Sequence, residues 1–199
     1  MAKVVSSAMM SLDGYVAKAD NTIGALFDWL GNGEVEIETV SPGITMHVSP
    51  ASAGYWRDWT DSLGALVCGR SLFDVTDGWD GRHTMDVPVV VVTHEVPTGW
   101  VDAHPDAPFT FVTDGVATAV AAAREIAGDK VVAVTAGTIA GQCLDLGLLD
   151  EVAIDLVPVV MGGGVRYFEG VAVADVLLED PTTSISGDRV THLRFPVRR

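Results

Sequence analysis

The sequence predicts an α/β fold: a mixed, mostly parallel sheet with helices packed against it and an antiparallel edge at its C-terminal end. Early in the chain, short apolar β-branched runs alternate with segments of helical periodicity, which is typical of parallel strands joined by crossover helices. Several of these runs end in small or hydroxyl residues. Strand patterns dominate the last third, which indicates the antiparallel edge.

The composition limits the class of protein. The chain has 199 residues, of which 48% are apolar, enough for one well-buried domain over residues 1–199 and too few for two typical ones. No run of about eighteen uninterrupted apolar residues indicates a membrane span. The apolar run after Lys3 is short and Asp13 soon follows it, so we expect no secretory signal and a cytoplasmic location.

The net charge of −15 argues against nucleic acid as a partner, because phosphate backbones are bound by clustered Lys and Arg residues. Any phosphate site must be local, made by backbone amides and one or two arginines. Cys68 and Cys143 fall on a predicted strand and a predicted helix face, where two buried thiols are favoured over a disulfide. Two cysteines and scattered histidines indicate no metal site.

The first element is a strand over residues 3–10, and Asp13 lies in the turn after it. This aspartate is either the tip of a hairpin or a carboxylate held at a strand end beside a pocket. Residues 21–50 carry many turn marks and are interpreted as a long surface loop, the kind that forms lids and binding loops. Phe27 and Trp29 either line a pocket for a planar ligand or anchor this loop to the core.

A helix is predicted over residues 51–62, capped by Ser49 or Ser52. Tyr55 and Trp59 lie four residues apart, so they share one helix face, which we expect to pack on the core.

A short buried strand over residues 64–68 ends in Gly69, Arg70 and Ser71. The Arg70 guanidinium is a fork-shaped donor suited to a phosphate, and Ser71 fits a helix N-cap. An ordinary capped helix with a solvated arginine is the alternative.

A second strand, over residues 87–92, ends in Thr93 and His94. His94 is either a ligand contact or a surface residue.

A strand over residues 109–113 is followed by an Ala-rich helix over residues 116–127. The strand at residues 131–134 comes next and is uninterrupted by polar residues, so we expect both of its faces to be buried. It runs into Thr135, Ala136, Gly137 and Thr138, and then into a helix in which Ile139 pairs with Cys143 and Ala140 with Leu144, up to Gly147. Strand, small-residue turn and helix together point backbone amides and a helix dipole at an anion.

The C-terminal third begins with a strand over residues 152–160, in which Pro158 indicates an edge or a bend. A flexible glycine turn at residues 162–164 and a closing antiparallel pair over residues 182–185 and 190–197 complete the chain. Ligands of such sheets bind outside the carboxyl ends of the strands. If the strands over residues 64–68, 87–92 and 131–134 are neighbours in the sheet, their carboxyl ends therefore converge on one crevice.

Five segments follow one another along the chain in this order: SLDGYVA, GRSLFD, VVVVTHEVP, GTIAGQCLDLGLLDEV and VPVVMGGGVRYF. Together they resemble the dihydrofolate reductase-like family. The similarity spans essentially the whole chain and is greatest to the reductase domains of the bacterial riboflavin pathway and their stand-alone relatives. The resemblance implies a three-layer α/β/α sandwich and a homodimer. It also implies an NADPH-dependent reductase that passes a hydride to a small-molecule substrate, a planar heterocycle or a carbonyl compound.

The resemblance assigns roles to positions in this chain. Gly69, Arg70 and Ser71 would meet the cofactor phosphates, and Thr93 and His94 would lie on the adenosine side. Asp13 would lie near the meeting point of nicotinamide and substrate and is the candidate proton donor, with bound water as the alternative. The remaining cofactor-binding residues form the pyrophosphate cradle: Thr135, Ala136, Gly137, Thr138, Ile139, Ala140 and Gly141.

The chain also departs from the pattern of the riboflavin branch. That branch has an acidic residue before a pair of glycines, and a gap-free comparison places Val134, Thr135 and Ala136 at those positions. The missing carboxylate argues against the substrate of the riboflavin pathway. The sequence carries no zinc deaminase signature of His, Glu and paired Cys, which argues against the bifunctional enzyme. Two functions stay open: an NADPH-dependent reductase, or a member of the same fold that binds a nucleotide or metabolite without turnover.

Overall fold

The computed structural model describes residues 1–41 and 43–198. In chain order the elements are β1 Val4–Ser11, β2 Tyr15–Ala17, a 3₁₀ segment Gly24–Leu30, β3 Val35–Glu38, β4 Thr45–Val48, α1 Pro50–Ser62, β5 Leu63–Gly69, α2 Arg70–Val75, a 3₁₀ segment Asp77–Gly81, β6 Val89–Val92, α3 Thr98–Ala103, β7 Phe109–Val112, α4 Val116–Ala127, β8 Val131–Thr135, α5 Thr138–Asp145, β9 Glu151–Val157, β10 Val165–Arg166, β11 Thr183–Gly187 and β12 Val190–Pro196.

Eight strands form one sheet in the order β11-β12-β9-β1-β8-β5-β6-β7. All pairs from β9 to β7 are parallel, whereas β12 pairs antiparallel with β9 and with β11. The prediction of a mostly parallel sheet with an antiparallel C-terminal edge is confirmed. Two small pairs, β2 with β10 and β3 with β4, lie outside this sheet.

Helices cover both faces of the sheet, as a three-layer α/β/α sandwich requires. One apolar cluster joins α4 and α5 to the sheet through residues such as Val120, Ala123 and Cys143. Two others join α1, α2 and the first 3₁₀ segment to the opposite face through Trp59, Phe73 and Trp29. The middle of β8 is buried on both sides, because apolar layers above and below leave no solvated face.

Local sequence signals explain how the helices begin and end. Ser49 caps α1 by accepting a hydrogen bond from the Ser52 backbone N–H. At the end of α5, Gly147 has φ 63°. The Leu148 and Gly147 amides donate to the Cys143 and Leu144 carbonyls, which is the Schellman arrangement that Gly147 predicted.

One predicted cap is wrong. Ser71 is not the N-cap of α2, because the helix begins at Arg70 and the extended residue before it is Gly69. Ser71 instead lies in the first turn and is exposed.

The prediction of an irregular loop over residues 21–50 is also wrong, apart from Pro42, which lies outside the described residues. The segment holds a 3₁₀ turn and the β3–β4 hairpin. Val35 and Ile37 pack against an apolar cluster, whereas Glu36 and Glu38 are exposed, so the four-residue alternation is that of a strand with one buried face. Trp29 is 2% exposed, which makes it an anchor to the core.

Strand bounds near proline differ from the prediction by a few residues. β9 ends at Val157 and β6 begins at Val89, because Pro158 and Pro88 have no N–H to donate to a ladder. Among the described residues, no helix is both long enough and apolar enough to cross a membrane.

Candidate active-site crevice

The carboxyl ends of β8, β5 and β6 lie side by side. These strands are consecutive neighbours in the sheet, and the register aligns Val134 with Val67 and Gly69 with Val92. The turn after β8, the start of α2 and the segment after β6 therefore meet at one edge. The predicted convergence of the three strand ends is confirmed.

Arg70 occupies the β5–β6 side of this edge. Its Nε lies 2.6 Å from a carboxylate oxygen of Asp74, and its Nη1 donates to the Glu95 carbonyl at 2.9 Å and to Thr93 Oγ1 at 3.3 Å. Thr93 is buried, and its hydroxyl in turn donates to the Glu95 carbonyl at 2.8 Å. Thr93 thus orients both the arginine and the loop beside it.

A cleft of about 330 Å³ opens next to Arg70 and is lined by Arg70 and residues 95–100. The Arg70 side chain is 38% exposed, so its guanidinium is accessible from the cleft. His94 is exposed and lies outside the lining set. The structure therefore brings Arg70 and Thr93 together and leaves His94 on the surface beside them.

The turn after β8 depends on Gly137, which has φ 83° and ψ −142°, a conformation that only glycine adopts without strain. Its amide donates to the Tyr167 carbonyl at 2.8 Å, and its carbonyl accepts from the Glu169 amide at 3.2 Å. The Gly137 N–H is thus already engaged. The donors left at this turn are the first-turn amides of α5, since a helix start leaves its first N–H groups without an intrahelical partner.

Three other predicted cradle residues have packing roles. Ile139 and Ala140 are buried. A side chain at Gly141 would overlap the Glu169 carbonyl, and a Cβ at Gly69 would lie 3.2 Å from Ile139. The two glycines allow α5 to approach β5 and the 167–169 segment closely. The Gly141 amide donates to the Gly137 carbonyl at 3.0 Å, so the backbone amides of Ile139 and Ala140 are the groups of this set that remain available to a ligand.

Asp13 lies at the end of β1 and holds a neighbouring loop. Its carboxylate accepts hydrogen bonds from the Ser11 hydroxyl at 2.6 Å, the Met161 amide at 3.0 Å and the Gly162 amide at 2.7 Å. These bonds, above all that from Ser11, lower the pKa of Asp13 to about 2. The group is therefore ionised at neutral pH and has no proton to donate. Its contacts favour a role in fixing the 161–164 loop.

Arg166 is a candidate that the sequence patterns did not single out. It lies in β10, which pairs with β2, and its guanidinium lies over the Tyr15 ring at 5.6 Å. The next residue, Tyr167, binds the Gly137 amide and donates its phenol to the Ala153 carbonyl at 2.8 Å. Tyr167 thereby fixes Arg166 beside the turn after β8. Within the described part of the chain, Arg166 forms no ion pair with a carboxylate.

Val134, the counterpart of the acidic position of the riboflavin branch, is fully buried in the apolar cluster under α4 and α5. It lies in the core, where a carboxylate would be costly to bury.

Cys68 and Cys143 are free and buried on opposite faces of the sheet, and burial raises the pKa of both thiols to about 12. In residues 1–41 and 43–198, no group of three or more acidic, His or Cys side chains could hold a metal ion.

Comparison with known proteins identifies the family of this chain. Residues 2–191 match the RibD C-terminal domain. The chain belongs to the RibD C-terminal domain family. It is therefore a reductase-like domain of the riboflavin-pathway type, within the dihydrofolate reductase-like fold that the sequence motifs predicted.

Individual relatives agree with this assignment. The chain is 26% identical over 166 residues to the uncharacterized protein YwjB of Bacillus subtilis, covering 83% of this chain and 82% of YwjB. A crystal structure of a putative riboflavin biosynthesis protein from Shewanella shares the fold with a TM-score of 0.69, 22% identity and full coverage of both chains. A pyrimidine reductase-like protein from Corynebacterium diphtheriae has a TM-score of 0.59 at 11% identity, over 100% of this chain and 92% of its own.

Proposed function

We propose that this protein is an NADPH-dependent reductase that transfers a hydride to a small heterocyclic or carbonyl substrate. One observation carries the proposal beyond family membership. An accessible guanidinium, Arg70, borders a cleft at the carboxyl edge of the sheet, and the preceding residue, Gly69, packs against Ile139 in the first turn of α5. On a chain with a net charge of −15, local positive charge at a strand edge fits a phosphorylated dinucleotide.

The residues present fit such a cofactor. Arg70 would hold the 2′-phosphate beside Thr93, and residues 95–100 would line the adenosine side. The first-turn amides of α5, from Thr138 to Ala140, would face the pyrophosphate, with Arg166 nearby as a second cation. When bound, NADPH supplies the hydride. The chain's own residues orient the cofactor and exclude water.

The present contacts of Arg70 do not prevent this role. Its ion pair with Asp74 is partly exposed, with both side chains more than one third accessible, and such pairs contribute only about 0.2–1 kcal/mol. A bidentate bond between an arginine and a phosphate is stronger. Exchange of Asp74 for a phosphate is therefore favourable. Asp74 also places a competing negative charge where the 2′-phosphate would lie.

A substrate screen tests the reductase proposal. Purified protein is mixed with NADPH and a set of heterocycles and carbonyl compounds, and loss of reduced-nicotinamide absorbance is followed. Turnover of any compound, with equal amounts of NADPH consumed and product formed, is the expected result. Binding of NADPH without turnover of any compound would favour the alternative, a binding protein on the same fold.

Two further properties remain predictions. We propose that the protein acts in the cytoplasm as a homodimer, as the resemblance implies. Analytical ultracentrifugation should give a mass near twice the chain mass of 20.9 kDa, and a species of single-chain mass would refute the dimer.

A further inference from the structure

A chain of hydrogen bonds runs through the interior between α1 and the antiparallel edge of the sheet. The Ser49 hydroxyl donates to Ser52 Oγ at 3.2 Å. Ser52 Oγ lies 2.9 Å from His192 Nε2, and His192 Nδ1 lies 2.7 Å from a carboxylate oxygen of Asp155. The four groups come from α1 and its cap, β12 and β9, and each is within hydrogen-bonding distance of the next.

The inner part of this chain is sealed from solvent. Ser52 and His192 are each 1% exposed and Asp155 is 8% exposed. The Tyr55 ring stacks on the His192 imidazole at 4.2 Å, and the Trp29 ring meets it edge-on at 5.5 Å. Because buried polar groups are costly unless they are paired, apolar residues would fill this space at lower cost. A connected polar chain in this position indicates a function.

Two details mark the surroundings as specialised. A side chain at Gly187 would collide with Ser52 Oγ, so glycine there leaves the hydroxyl its space. The indole N–H of Trp29 is buried beside His192 and has no acceptor among the described residues. An unpaired buried donor is unfavourable, and it offers a hydrogen bond to a ligand or to water that enters this region.

The outer end of the chain is accessible. Ser49 lines a cleft of about 420 Å³ together with Asn32, Gly33, Glu34, Pro50 and Asp188. Thr191, which follows the β11–β12 turn, pairs with Leu156 near the carboxyl end of β9. The cleft thus lies at the same edge of the sheet as the cofactor crevice. It lies on the side of β12, whereas the Arg70 cleft lies on the side of β6.

The protonation state of His192 sets the direction of the hydrogen bonds. In the neutral ring, Nδ1–H donates to Asp155 and Nε2 accepts from the Ser52 hydroxyl, which in turn accepts from Ser49. When the ring is protonated, Nε2–H donates to Ser52, Ser52 donates to Ser49, and Ser49 can donate to a ligand in the cleft. The chain can therefore carry one proton outward and then return to its first arrangement.

We propose that Ser49, Ser52, His192 and Asp155 form the proton-delivery route of the enzyme and that the cleft beside Ser49 receives the substrate atom that is protonated. This inference rests on the proposed reductase function. Reduction of a C=O or C=N bond adds a hydride from NADPH to carbon and a proton to oxygen or nitrogen. The proton leaves the His192 imidazolium through Ser52 and Ser49, and His192 is left neutral. After the product leaves the cleft, a water molecule that contacts Ser49 reprotonates His192 along the same route.

The charge of the cleft further limits the substrate. Glu34 and Asp188 contribute carboxylates, and Asn32 and Ser49 contribute neutral polar groups. Within residues 1–41 and 43–198, no basic side chain lines this cleft. A phosphate group would meet two negative charges there. The cleft therefore fits a neutral or cationic heterocyclic carbonyl compound and disfavours a phosphorylated one.

Other charged groups lie along the same face and influence His192. Glu151, two positions before Ala153 on β9, is buried and forms ion pairs with Lys3 at 2.7 Å and with Arg194 at 2.6 Å. One carboxylate thus faces two cations, so this cluster carries a net positive charge. Asp155 is the acid that pairs with His192. Two further titratable side chains pack nearby: Tyr55 stacks on the imidazole, and Tyr167 donates its phenol to the Ala153 carbonyl on β9.

The test uses pyridoxal and pyridoxal 5′-phosphate as matched probes, which differ only by the phosphate, with NADPH oxidation as the readout. Pyridoxal should be reduced, and the phosphate ester should react at least about tenfold more slowly because of Glu34 and Asp188. His192→Gln, which can still form hydrogen bonds but cannot give up or take up a proton, should lower the hydride-transfer rate by about 10²–10⁴-fold. It should also remove the pH dependence of the rate while leaving the NADPH Kd unchanged.

Variants of Ser49 separate proton delivery from helix capping. Ser49→Gly keeps most of the cap but removes the hydroxyl, and Ser49→Thr keeps both. Ser49→Gly should lose reductase activity, and Ser49→Thr should retain it. Ser186→Ala, an exposed serine on β11, is the control. Nuclear magnetic resonance of ¹⁵N-labelled histidine should show the Nδ1–H tautomer of His192 and a slower exchange of its proton with solvent in Ser52→Ala.

Each outcome decides between the two proposals. Three results would each overturn this inference. The first is a wild-type rate and pH profile in His192→Gln, and the second is an equal rate on pyridoxal and pyridoxal 5′-phosphate. The third is no reduction of either probe by a protein that binds NADPH. Absence of NADPH binding would instead overturn the proposed function, while the tautomer and exchange measurements would still report on the hydrogen-bonded chain itself.

Discussion

Replacement of Arg70 by alanine should weaken NADPH binding far more than NADH binding. The two cofactors differ only in the 2′-phosphate, and among the described residues Arg70 is the one basic side chain that lines the cleft beside α2. Loss of a charge-assisted bond to a phosphate costs about 1–3 kcal/mol, which corresponds to a roughly 5- to 150-fold increase in the NADPH Kd. The NADH Kd should change by less than about threefold, since only the packing of the 95–100 loop is affected.

Arg82→Ala is a matched control for this experiment. Arg82 forms an i,i+4 ion pair with Asp86 at 2.8 Å, of the same type as the pair of Arg70 with Asp74 at 2.6 Å, but it does not line the cleft. The two Kd values are measured by fluorescence titration on the wild type and both variants. Equal weakening of NADPH and NADH by Arg70→Ala, or the same effect from Arg82→Ala, would refute the assignment of Arg70 to the 2′-phosphate.

Three further predictions follow from the same contacts. Asp74→Asn should tighten NADPH binding by about two- to fivefold without affecting NADH, because it removes a competing charge beside Arg70; weaker NADPH binding in the same titration would contradict this. Gly137→Ala should lower the free energy of unfolding by about 1–3 kcal/mol, because its φ of 83° strains any residue with a Cβ. Gly54→Ala, on the exposed face of α1 with open space around it, should instead raise it by about 0.5–1 kcal/mol; denaturant melts that show the same sign for both would contradict the argument. Burial lowers the pKa of His83 from 6.5 to about 4, so as pH falls through this window the unfolded chain binds a proton that the folded chain does not. Stability should therefore fall by on the order of 2–3 kcal/mol between about pH 6.5 and 4, and His83→Gln, but not the exposed His47→Gln, should flatten that part of the curve in thermal melts.

Signals local to the sequence predicted most of the fold. The α5 helix and its end at Gly147 were predicted from apolar periodicity and one glycine. The shared core-facing side of Tyr55 and Trp59 was predicted from their four-residue spacing, and the burial of both side chains confirms it. The β3–β4 hairpin was missed, because a four-residue alternation between Val35 and Glu38 is too short to stand out among turn residues. Ser71 was predicted to be an N-cap because its hydroxyl suits that position. The sequence does not show at which residue the extended backbone ends, and in the structure it ends at Gly69.

The site was less predictable because it depends on pairings between distant residues. Ser52 and His192 are 140 positions apart, and their hydrogen bond follows from the packing of α1 against the antiparallel edge of the sheet. Arg166 is fixed beside Gly137 by Tyr167, a contact that no spacing in the sequence reveals. The available signal for Arg166 was its position two residues after the glycine turn at residues 162–164, on a chain with few basic residues. The convergence of Arg70, Thr93 and the turn at Gly137 could be predicted, because parallel strands of one sheet end at one edge.

Equilibrium titration of the wild-type protein with NADPH, followed by the fluorescence of the reduced nicotinamide, tests the central claim most directly. The structure predicts a saturable signal with one site per chain and clearly weaker binding of NADH under the same conditions. A fluorescence signal that does not saturate, or one that is indistinguishable from NADPH in buffer, would contradict the assignment of this crevice to a dinucleotide and remove the reductase function with it.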